Sequence, residues 1–186
     1  FIEVVAANIP RLTYLTVGGN PFLLDEPQAT NLILQSNTFT DSNWAKNDTV
    51  ILSTNNISPD GTLNATRLGC SATENATLQQ VISTTTGQPF STSFWVRRVS
   101  GSASVFLRAG SLASTTITLT SVWQRFSFSS SSGSISARCA IGFVSPVVGT
   151  DVIEIYYAQF ENTSFATSTI PATTTAAVTR NADVIT

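Results

Sequence analysis

Residues 91–99 read S-T-S-F-W-V-R-R-V. One parity carries Thr92, Phe94 and Val96, and the other carries Ser91, Ser93, Trp95 and Arg97. Successive side chains of a strand point to opposite faces, so a period of two marks a β-strand with one face in a core. The same pattern recurs along the chain. Strands are expected at Asn31–Gln35, Thr49–Ser53, Leu63–Leu68, Thr77–Ser83, Ser91–Val99, Ser104–Ala109, Thr115–Thr120, Val122–Ser129, Ile135–Phe143 and Val152–Phe160. Between them lie turn formers: Ser58-Pro59-Asp60-Gly61, Gly87-Gln88-Pro89, Ser100-Gly101 and Gly149-Thr150-Asp151. Short strands at this spacing, with no amphipathic helix, predict an all-β protein: a β-sandwich or jelly roll. A short turn is expected near Asp41–Trp44.

Three regions follow from the pattern. Residues 1–30 carry Gly18, Gly19, Pro21 and Pro27 and read as an extended N-terminal arm; residues 31–162 form the sandwich; residues 163–186 return to Thr, Ala and Pro and read as an exit segment toward a further module. The chain has no Met, so it reads as a processed product or a part of a longer protein.

Composition narrows the function. Charged residues make up 11% of the 186, against 24 Ser and 28 Thr, and the net charge is −2. A surface of hydroxyls suits sugars and neighbouring subunits. The nine basic residues form no stripe, which argues against nucleic acid. No apolar run approaches the roughly 20 residues of a membrane-spanning helix. There is no histidine, so serine–histidine and cysteine–histidine catalysis cannot be assembled from these residues. A hydrolase would need a carboxylate pair, and parity places Glu154 and Glu161 on opposite strand faces. Asp60 and Glu161 are candidate donors for a structural calcium, although nothing resembles a calcium loop; no other cofactor is expected. Cys139 sits in an apolar alternation and reads as a buried free thiol, with a Cys70–Cys139 disulfide as the alternative. Asn-X-Ser/Thr patterns at Asn47, Asn56, Asn64, Asn75 and Asn162 are what chance produces in this composition.

The aromatic residues give the candidate site. Ser104, Phe106 and Arg108 share one parity, as do Glu154 and Tyr156. If these strands share a sheet with residues 91–99, then Trp95, Arg97, Phe106, Arg108 and Tyr156 line one exposed face. Aromatic rings stack on the C–H faces of sugars and polar groups read the hydroxyls, so this would be a glycan-binding face. The competing reading is structural, with Trp95 covered by the arm. Trp123 is expected to plug one end of the core.

An ordered set of motifs adds a resemblance. It comprises A-N-I-P-R-L-T-Y at residues 7–14, L-L-D-E-P-Q-A-T-N-L at 23–32 and the Phe39/Trp44 segment. S-P-D-G-T at 58–62, W-Q-R at 123–125, A-Q-F-E at 158–161 and T-R-N-A-D-V at 179–184 complete it. This set resembles the carbohydrate-binding-module-like, galactose-binding-type jelly rolls of bacteriophage structural proteins. The resemblance implies a non-catalytic structural or binding module of a head fibre, decoration protein or tail fibre. It implies a virion-surface location, other virion proteins as partners and contact with host-surface or mucus glycans. It also implies a homo-oligomer, a trimer in a fibre. The alternative is a piece of a glycan-depolymerase tail protein whose catalytic domain lies elsewhere. Arg180 and Asp183 are expected to tie the exit strand to the arm by charge-assisted bonds.

Overall fold

A computed structural model describes residues 11–14, 21–71, 75–111, 113–131, 133–144 and 147–183. The remainder of the predicted arm, residues 1–10 and 15–20, lies outside the described residues. The strands are β1 (Arg11–Tyr14), β2 (Pro21–Leu24), β3 (Ala29–Asn31), β4 (Ala45–Asn47), β5 (Thr49–Ile57), β6 (Leu63–Cys70) and β7 (Ala76–Ser83). They continue with β8 (Pro89–Ser100), β9 (Val105–Gly110), β10 (Ser114–Ile117), β11 (Gln124–Ser131), β12 (Ser136–Phe143), β13 (Val152–Glu161) and β14 (Val178–Arg180). Two five-stranded sheets, ordered β11-β8-β13-β6-β5 and β10-β9-β12-β7-β4, pack face to face. Their pairings are antiparallel throughout. The protein is therefore a β-sandwich jelly roll, as the alternation predicts.

The inward parities meet in one core. β8 contributes Phe94 and Val96, β9 contributes Val105, Leu107 and Ala109, and β12 contributes Ala137, Cys139, Ile141 and Phe143. Phe90 stacks on Phe160 at 5.0 Å between ring centroids. Trp44 closes one edge against Phe39 and hands its indole N–H to the Gln35 carbonyl at 3.0 Å. Full burial of such side chains stabilises by about 1.5–3 kcal/mol each, which is what offsets the ordering of so many loops. Cys70 and Cys139 are not joined in a disulfide; Cys139 is buried against the Thr92 hydroxyl at 2.9 Å.

Three expectations need correction. The strand expected over Asn31–Gln35 keeps only Asn31, because Leu32–Gln35 leaves to thread past β13 and Gln35 takes a φ of 51°. The Asn31 amide fixes this departure. Its Nδ2 donates to the carbonyls of Ala158 and Ile170, and its Oδ1 accepts from the N–H groups of Ile33 and Phe160. Trp123 does not plug the core. It lies half-buried on an outward face, with the Arg97 guanidinium 5.0 Å above its ring. Finally, Glu154 and Glu161 share a face: an irregularity between Tyr156 and Ala158 inserts Tyr157, at φ 37°, and reverses the parity of the rest of β13.

The segment after β13 doubles back across the β8 sheet, and β14 pairs with β3. There Arg180 meets the Glu26 carboxylate at 2.6 Å, and Asp183 accepts the Glu26 backbone N–H at 2.9 Å.

Candidate functional site: two outward faces

The five residues expected on one face are divided between two. Trp95 and Arg97 on β8 lie opposite Tyr156 and Glu154 on β13. Phe106 and Arg108 lie on β9, in the other sheet, and point away from that group on the far side of the sandwich. Alternation assigned each residue correctly to an outward parity, but β8 and β9 are joined by a turn that crosses between sheets.

The outward face of the β8 sheet is largely committed to holding the fold. At one end, residues 163–169 lie across it. Ser91 Oγ donates to the Phe165 carbonyl at 2.9 Å, and Arg125 Nη1 donates to the Thr167 carbonyl at 2.6 Å. Glu161 accepts the Thr167 N–H and hydroxyl. Trp95 is half-buried, its indole N–H 3.4 Å from the Thr169 hydroxyl. At the other end, the buried Glu154 carboxylate is gripped by Arg67 at 2.6 Å and by Arg97 at 2.7 Å. Tyr156, expected to be exposed, is 1% exposed and donates its hydroxyl to Asp60 at 2.7 Å, because the β5–β6 turn folds over it.

Asp60 and Glu161 do not form a calcium site together. Among the described residues no three His, Cys, Asp or Glu side chains cluster as metal ligands. Asp60 lies beside Tyr156, while Glu161 is at the far end of β13. Burial alone would raise the Asp60 pKa; hydrogen bonds from Ser58, Tyr156 and Thr62 outweigh it and hold the carboxyl well below its ordinary value.

The outward face of the β9 sheet is built differently. Register places Thr116, then Phe106 and Arg108, then Arg138, Ala140 and Gly142, then Thr77 and Gln79 side by side across it. The centre is floored by small residues. Gly142 lies beneath Phe106: a Cβ there would sit 2.9 Å from the ring and 2.2 Å from the Ala76 carbonyl oxygen. Phe106 is thus pressed flat onto the sheet and only 7% exposed, with the Arg108 guanidinium 5.4 Å above its ring. Phe106 serves as a bed for Arg108 rather than as an open platform. Burial, and then the charge of Arg138, lowers the Arg108 pKa. Arg138, Gln79, Thr77 and Thr116 were not anticipated as site residues. The signal was present in residues 135–143, whose polar parity holds Arg138 beside Ala140 and Gly142.

No family model matches the sequence, and no curated protein matches it. Solved structures do match in fold. The CBM22-1 xylan-binding domain of Paenibacillus barcinonensis Xyn10C is 13% identical, with a TM-score of 0.52 over 74% of this chain and 94% of that one. The CBM22-1–GH10 modules of the Clostridium thermocellum xylanase Xyn10B, complexed with xylohexaose, are 10% identical with a TM-score of 0.53; the match covers 78% of this chain and 30% of that one. The enzymatically active domain of bacteriophage CBA120 tailspike protein 4 is 14% identical with a TM-score of 0.50, over 70% of this chain and 21% of that one. This chain therefore spans about a fifth of the tailspike chain. It has the jelly-roll fold of carbohydrate-binding modules, shared with one phage tailspike domain.

Proposed function

We propose that this chain is a non-catalytic glycan-binding module of a phage virion protein, and that the glycan lies on the outward face of the β9 sheet. The observation that carries the reading is the contrast between the two faces. One is closed over by residues 163–169 and the β5–β6 turn. The other presents the exposed or half-buried Thr77, Gln79, Arg108, Thr116 and Arg138 over a buried layer of Phe106, Ala140 and Gly142. Hydroxyl, amide and guanidinium groups gathered on one face are what a sugar chain needs for hydrogen bonding. The fold supports the reading, since the same sandwich serves in carbohydrate-binding modules and in a tailspike domain.

The non-catalytic part of the reading draws on chemistry. These 186 residues contain no histidine. Glu154 is held by two arginines and Glu161 by Thr167, so neither carboxylate is placed to act as an acid or a nucleophile. On this reading the module sits on the virion surface beside other virion proteins, as a homo-oligomer, a trimer in a fibre, and reaches host-surface or mucus glycans.

A glycan array followed by titration tests it. Binding is expected to fall in Gln79→Ala and in Thr116→Trp, which places a bulky ring on that face, and to persist in Trp95→Ala. Loss of binding in Trp95→Ala alone would move the site to the β8 sheet. Release of reducing sugar by the isolated chain would overturn the non-catalytic reading.

A further inference from the structure

Most of the basic side chains that the structure describes are bonded. Arg67 and Arg97 hold Glu154, and Arg180 holds Glu26. Arg98 donates to the Ala103 carbonyl, Arg125 to the Thr167 carbonyl and Ser93, and Lys46 to the carbonyls of Asp41 and Trp44. Among the basic residues whose side chains the structure describes, Arg108 and Arg138 make no hydrogen bond or ion pair. They are also neighbours. Arg138 pairs with Gly110 and Arg108 with Ala140, which sets the two arginines diagonally on one face. Side chains so placed are about 7–8 Å apart at the backbone, within reach of one small ligand group.

The setting makes this more than two solvated side chains. The outward residues of the β9 sheet are Ser114 and Thr116; Phe106, Arg108 and Gly110; Ser136, Arg138, Ala140 and Gly142; Thr77, Gln79, Val81 and Ser83; and Ala45 and Asn47. None is acidic. Two like charges on one face repel, and nothing among the described residues offsets them. Arg108 is half-buried, lies along Phe106 and has a buried Nε with no acceptor. An unpaired buried donor is costly, and its cost is relieved when an acceptor arrives. Arg138 is exposed, free to swing onto the same acceptor. The guanidinium fork matches the two oxygens of a carboxylate, and the Phe106 ring lies 5.4 Å beneath the Arg108 fork.

We propose that Arg108 and Arg138 form an anion subsite that accepts the carboxylate of an acidic sugar, so that the module selects acidic over neutral polysaccharide. This rests on the glycan-binding reading above and names the class of glycan. The shared chemistry is an oxyanion carried on a polymer; the two-oxygen fork favours a carboxylate, and a phosphodiester is the competing source.

Two measurements separate the subsite from the glycan reading. In the first, the Arg108 Nε–H resonance is followed by NMR while sodium galacturonate, galactose or inorganic phosphate is added at constant ionic strength. A shift with galacturonate and none with galactose is expected. No shift with galacturonate, or a shift with phosphate alone, overturns the carboxylate subsite. In the second, the full chain is titrated with polygalacturonate and with its methyl ester. Tighter binding of the free acid is expected, weakened about tenfold by Arg108→Gln and by the surface variant Arg138→Gln, with Arg108→Lys intermediate. Equal affinity for acid and ester, or unchanged acid binding in both Gln variants, overturns the subsite and leaves glycan binding standing. A galacturonate-specific shift at Arg108 without binding of any polysaccharide overturns the glycan-binding module and leaves the anion subsite.

Discussion

Arg180 closes its guanidinium on the Glu26 carboxylate at 2.6 Å, joining residues 154 positions apart in the chain. Arg180 also donates to the Pro27 carbonyl at 2.9 Å, Glu26 accepts the Ser168 N–H at 2.8 Å, and β3 pairs with β14 beside them. The pair therefore fastens the last described strand to the start of the sandwich. Its side chains are 18% and 13% exposed, so solvent screens it only in part. Arg180→Ala is expected to lower unfolding stability by about 2 kcal/mol, because it leaves a partly buried carboxylate short of a charged partner. Urea unfolding checks this, and proteolysis of the C-terminal segment should speed up in the same variant.

Asp60 predicts a pH dependence. Its carboxyl is held below the ordinary 3.8 by hydrogen bonds from Ser58, Tyr156 and Thr62, despite burial acting the other way. A lowered folded-state pKa contributes stability that is fully present above 3.8 and is lost as pH falls through the folded value. Wild type should therefore melt above Asp60→Asn at neutral pH, by a margin that is flat down to about pH 4 and narrows below it. Thermal melts of both proteins from pH 7 to pH 2 give the answer; a margin that widens in acid would be the wrong sign.

Gly142→Ala is expected to destabilise by about 1–3 kcal/mol through overpacking. The added methyl meets both the Phe106 ring and the Ala76 carbonyl oxygen. A second substitution, Phe106→Ala, removes only the ring contact. The double variant should therefore fail to recover wild-type stability, as denaturant midpoints will show. This glycine was legible in the sequence only as a gap in an apolar alternation; what it makes room for became visible once β9 and β12 were seen side by side.

Cys139 is expected to resist alkylation in the folded protein. Burial pushes its thiol up to about 12, against a small opposing effect of the Thr92 hydrogen bond. Little thiolate is then present at pH 8, and the buried sulfur is shielded from reagent. Mass spectrometry after iodoacetamide should find Cys139 unmodified in the native protein and modified in urea. The half-buried Cys70 is expected to react first.

Much of the architecture was written in local pattern. Nine of the ten expected strands form, and Phe94, Val96, Val105, Leu107 and Cys139 are in the core where alternation put them. The Ser58–Gly61 turn closes with the Gly61 N–H on the Ser58 carbonyl at 3.0 Å and a glycine φ of 86°. The tie from Arg180 and Asp183 to the arm was expected; that both meet at Glu26 is seen only in the structure. β4 was missed because three exposed residues give no periodicity, and β14 because its pairing with β3 spans nearly the whole chain.

Along each uninterrupted stretch of strand, the sequence by itself determined which side chains share a face, because that choice is a period-two property of the strand. It did not determine which outward faces coincide. Phe106 and Arg108 parted from Trp95 because a turn can return a strand to the same sheet or carry it to the other, and the alternation is identical in both cases. Glu154 and Glu161 came together because Tyr157 adds one residue to β13, held by its N–H bond to Asn37 Oδ1 at 3.1 Å. One inserted residue reverses every side chain beyond it, and only a partner distant in sequence fixes where the insertion falls. The neighbouring pair of Arg108 and Arg138 is of the same kind: two strands' local patterns, made into one surface by tertiary pairing.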